Sequence, residues 1–93
     1  MISFILARLR EDEARARAGR PPAQWGVSHL GDWSSIRELD EIASKRREVM
    51  LRKEALAVGV RDPRWQTLVL MHMACGYAAH RDFRTEWVVV AHK

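Results

Sequence analysis

The stretch SIRELDEIASKRREVMLRKEALAVG, residues 35–59, decides the fold. No glycine or proline interrupts it before Gly59, and Ser35 followed by Glu38 has the spacing of a capping box. In that motif the serine side chain takes a backbone N–H of the first turn and the glutamate reaches back to the serine. The spacing predicts a single helix over residues 35–57. At 1.5 Å per residue this helix is about 35 Å long, whereas a globule of 93 residues has a radius of gyration of only about 12 Å. The helix must therefore cross the whole domain or project from it. Its apolar stripe is Ile36, Leu39, Ile42, Ala43, Val49, Met50 and Leu56, yet Arg46 and Lys53 fall on the same seam. A covered cation needs a counter-charge, so Arg46 and Lys53 are expected to meet acidic side chains of this chain or of a second copy.

Downstream, Asp62-Pro63 opens another helix, with Asp62 as N-cap and Pro63 at the first helical position. This helix runs through Trp65, Leu68, Leu70, Met73, Cys75 and Tyr77, is apolar almost all round and is expected to be central. Upstream, a helix from about Ser3 to Ala18 has Ser3 as cap and Ile5, Leu6 and Leu9 on one face; Gly19 and Pro21-Pro22 stop it. Glu11 with Arg15 and Glu13 with Arg17 stand at the i,i+4 spacing of surface ion pairs. Between the first two helices, Trp25, Val27 and His29 alternate with Gly26 and Gly31 close by, which allows a short strand or an ordered loop. Asp82 is placed to cap a last turn through Trp87, and Val88 to Val90 favour an extended tail able to pair with the segment around Val27. The expectation is a single mainly α domain over residues 1–93: a small three-helix bundle with one long helix and a short β pairing between residues 24–30 and 86–91.

Composition agrees with a folded chain, since 47% of residues are hydrophobic and 30% charged. At 93 residues there is no room for a second catalytic domain. The net charge of +4 is spread along the chain, and of the 16 basic residues only Lys45, Lys53 and Lys93 are lysines. Arginine favours forked contacts to carboxylate or phosphate. The single cysteine, Cys75, has no partner for an internal disulfide, which points to a reducing cytoplasm. Phe4 to Ala7 is too short an apolar run for a signal peptide, and Val88 to Val90 is far too short for a span, so neither export nor a membrane is expected.

Few residues suggest chemistry. His72, Cys75 and His80, with His29 or His92 added, are the only candidate metal ligands; their spacing matches no common zinc module and Cys75 lies in an apolar run, so no metal is expected. The glycines of the segment from Gly26 to Gly31 are wrongly spaced for a nucleophile elbow around Ser28. With no convergent polar site, neither catalysis nor a cofactor is expected. The densest basic patch is Lys45, Arg46, Arg47, Arg52 and Lys53 on the long helix, where Glu41 and Glu48 are placed to pair with Lys45 and Arg52. Among Trp25, Trp33, Trp65 and Trp87, most should anchor the core; Trp25 and Trp33 are the candidates for an exposed binding contact.

Three stretches carry a family likeness: residues 4–13, FILARLREDE; residues 37–47, RELDEIASKRR; and residues 77–87, YAAHRDFRTEW. They resemble a family of short uncharacterised proteins of actinobacteria and their phages. Arg81 stands where family members often carry a proline. The resemblance implies a shared helical scaffold and an actinobacterial or phage origin, and it brings no activity with it. The function expected is a non-enzymatic protein-binding module, a phage product acting on a host protein in one version of that reading, with a homodimer as a further form of it. The alternative is a nucleic-acid-binding module that uses the basic face of the long helix.

Overall fold

The computed structural model describes residues 1–22, 33–59 and 61–88. Three helices follow one another: α1 (Ile2–Arg17), α2 (Ser35–Val58) and α3 (Pro63–Cys75), with one 3-10 turn at Thr85–Trp87. The molecule measures 44 × 29 × 23 Å and its radius of gyration is 14.8 Å. It is longer than an average globule of this length because α2 runs along most of it.

α1 and α2 form an antiparallel hairpin. Ile5, Leu9 and Ala16 of α1 are buried at helical spacing against Ile42 and Val49 of α2. α3 returns along α2 and adds Leu70 and Ala74 to the same cluster. The chain after α3 then runs back along α1: Tyr77 meets Asp12, His80 meets Arg8, and Phe83 and Trp87 stack around Phe4 at ring distances of 6.1 and 5.0 Å. This terminal strap closes the end of the bundle with aromatic edges.

The helix ends follow local chemistry, with corrections to the sequence reading. α1 starts at Ile2 with Met1 in the cap position, and Ser3 is already helical. Its C-terminus is a Schellman motif: Gly19, at φ 74°, lets its own N–H reach Ala16 O (3.0 Å) and the Arg20 N–H reach Arg15 O (3.1 Å). α2 is capped by Ser34, whose Oγ accepts the Arg37 N–H at 3.3 Å; Ser35 is the first helical residue. The expected Ser35–Glu38 capping box is therefore not formed, since Glu38 sits one place beyond the position from which it would reach back. Gly59 ends α2 at φ 79° as expected, and Asp62 caps α3 by accepting the Trp65 N–H.

α3 is not the central helix that its composition predicted. Only Leu70 and Ala74 are buried, while Trp65 is 57% and Leu68 44% exposed. With two helices packed on one side, a 13-residue helix has only a narrow stripe to bury. Asp82 does not cap the last turn; Arg84 occupies the cap position. Of the segments expected to pair as strands, 24–30 and 89–91 lie outside the described residues, while Thr85–Trp87 is a 3-10 turn.

Candidate functional site

The basic patch of α2 is distributed over different surroundings. Arg46 reaches across to α1 and donates to Glu13 Oε2 at 2.6 Å, the acid that its place in the seam required. Arg52 donates to Gln66 Oε1 of α3 at 2.8 Å and pairs with Glu48. Lys53 is exposed and has no ion-pair partner among the described residues, so within one chain the expectation holds for Arg46 alone. The part of α1 that runs along this end of α2, Ile2–Arg10, carries no acidic side chain. Arg47 donates to Ser44 Oγ, and Lys45 is exposed at the rim of a groove. The patch is thus interrupted by internal ion pairs, which oppose phosphate binding.

That groove, of about 920 Å³, lies between the Glu38 end of α2, α1 and the end of α3. A polar chain lines it beside the buried Ile5, Leu9 and Ile42. Trp33 donates its indole N–H to Glu38 Oε1 at 2.6 Å, Arg15 forks onto the same carboxylate with Nη1 at 3.1 Å, and Tyr77 donates to Asp12 Oδ2 at 2.8 Å. Burial raises the Glu38 pKa, but the hydrogen bonds from Arg15 and Trp33 and the Arg15 charge outweigh it and hold the carboxyl below its usual range. Burial, and then the bond to the Asp12 carboxylate, push the Tyr77 hydroxyl above the ordinary phenol value. Glu13 is held low by Arg46 and then Arg17. The shifts at Glu38, Tyr77 and Glu13 all run away from neutrality.

Trp33 is therefore a structural anchor rather than a free contact, and Trp25 lies outside the described residues. Of the candidate metal ligands, His29 and His92 lie outside the described residues, and the other three are not gathered. His72 is exposed, the Cys75 thiol points to Trp87 O at 3.4 Å, and His80 faces Arg8 and the Asp82 N–H. Among the described residues no three His, Cys, Asp or Glu side chains gather as a metal group, and no helix is long and apolar enough to cross a membrane.

The model of DUF6221, a family of unknown function, matches residues 1–89. The chain belongs to this family. No curated protein and no solved structure matches it. The DUF6221 match spans all three helices and the aromatic strap.

In this DUF6221 chain α3 exposes a surface that composition alone did not single out. On the outer side of α3, Trp65 and Leu68 stand one turn apart and exposed. Arg61 and Arg64 are exposed beside them and have no ion-pair partner among the described residues. A helical projection of residues 63–75 places Trp65, Leu68 and His72 opposite Leu70. The sequence thus contained the signal, but only once Leu70 is known to mark the buried side.

Proposed function

We propose that this protein is a non-enzymatic binding module whose partner is another protein. The observation that carries the reading is Trp65: a large indole, 57% exposed, held on a rigid helix turn by the Asp62 cap and flanked by Leu68, Arg61 and Arg64. Tryptophan and arginine are the residues that dominate binding energy when a partner desolvates them. The matching surface is an apolar pocket rimmed by carboxylates. On the family resemblance, the reading extends to a protein of actinobacterial or phage origin acting on a host protein in the cytoplasm.

Nucleic-acid binding by α2 is the weaker reading, because Arg46 and Arg52 are already engaged with Glu13 and Glu48. The test is capture from an actinobacterial lysate by the intact chain and by Trp65→Ala, each repeated after nuclease treatment. A nuclease-resistant partner lost with Trp65→Ala, at a cost of about 2 kcal/mol or more, supports the reading. A duplex DNA probe bound tightly and released steeply by salt overturns it.

A further inference from the structure

We infer that two copies of this chain associate through the outer face of α2, antiparallel about a two-fold axis between Met50 and Leu51. The face is apolar where a solvated helix would be polar: Met50 is 44%, Leu51 59% and Val58 77% exposed, although Ile42 and Val49 already bury the opposite side of the same helix. Between Ala43 and Val58 this face carries two charges, Arg47 and Glu54, both exposed. Neither has an opposite charge three or four residues away: the neighbours of Arg47 at those spacings are Ala43, Ser44, Met50 and Leu51, and those of Glu54 are Met50, Leu51, Ala57 and Val58. They stand seven residues apart, about 10 Å along the axis, too far to pair within the helix.

A second copy supplies what each lacks. In the antiparallel register, Arg47 of one copy faces Glu54 of the other, twice, with Met50 of each copy facing Leu51 of the other between them and Ala43 facing Val58. A parallel pair would set Arg47 on Arg47 and Glu54 on Glu54. An antiparallel pair centred on Arg47 would again oppose the two arginines and place Asp40 against Glu54. Like charges held in contact are penalised, so charge favours this register over those two, and the surface is self-complementary as a two-fold interface requires. One helix pair buries little area, so the association is weak and reversible. It uses a different face from Trp65 and stands independently of the reading proposed for that residue.

The test is sedimentation velocity of the full chain over a range of concentrations. The expected result is a monomer–dimer equilibrium that Trp65→Ala leaves unchanged. Arg47→Glu and Glu54→Arg should each weaken it about tenfold or more, the equivalent of about 1.4 kcal/mol, and the double variant carrying both should restore it. Arg47 and Glu54 are both on the solvent side of α2, and circular dichroism checks that the helix is retained. A chain that remains monomeric to about 1 mM, or a dimer that the single reversals leave intact or the double reversal fails to rescue, overturns the inference.

Discussion

Tyr77 donates its hydroxyl to Asp12 Oδ2 over 2.8 Å and thereby ties the strap after α3 to the middle of α1. The bond exists only while the phenol is protonated. Tyr77 has a folded-state pKa raised above its unfolded value near 10, first by burial and then by Asp12. Its contribution is therefore complete below about pH 10 and is lost as pH rises beyond it. Tyr77→Phe should cost about 1 kcal/mol at neutral pH, and it should remove part of the alkaline loss of stability. Urea midpoints measured from neutral to alkaline pH check both.

At the acid end the sign is opposite. Glu38 and Glu13 have folded-state values below the usual 4.5. Their contribution is present above that value and is lost as pH falls through it toward the lower folded values. Glu38→Gln, which breaks a half-buried fork with Arg15, should cost about 1–3 kcal/mol at neutral pH and flatten the acid limb. Thermal melts of the two proteins through the acid range give the comparison.

Ser34 and Ser35 are adjacent, yet only Ser34 caps α2. Ser34→Ala should lower stability by about 1 kcal/mol, and Ser35→Ala should have little effect. A chemical-denaturation series on the pair reads the difference directly; equal losses would refute the cap assignment.

Gly59 holds φ 79°, and a Cβ built there meets nothing within 4 Å. The cost of Gly59→Ala is thus purely conformational, about 1 kcal/mol. Gly59→Asn, which tolerates the left-handed region better, should cost less in the same melting experiment.

The three helices, the stop at Gly59 and the cap and proline that open α3 are all legible in the sequence. These signals act between residues no more than four apart, where helix geometry alone relates them. Even the need of Arg46 for an acid followed from its place in an apolar seam. Which acid answered it did not, because Glu13 lies on another helix. The same limit explains the misreadings. Glu38 has a cap-box spacing, but its carboxylate is claimed by Arg15, 23 residues away, and by Trp33. The strap contacts join residues 65 and 72 apart, Tyr77 to Asp12 and His80 to Arg8. Trp65 and Leu70 are equally apolar in the sequence, and only the approach of α1 and α2 to one side of α3 leaves the first exposed and buries the second. Local backbone hydrogen bonding fixed where this chain becomes helical; the limited apolar area available between three helices decided which of its side chains were covered and which remained free to bind.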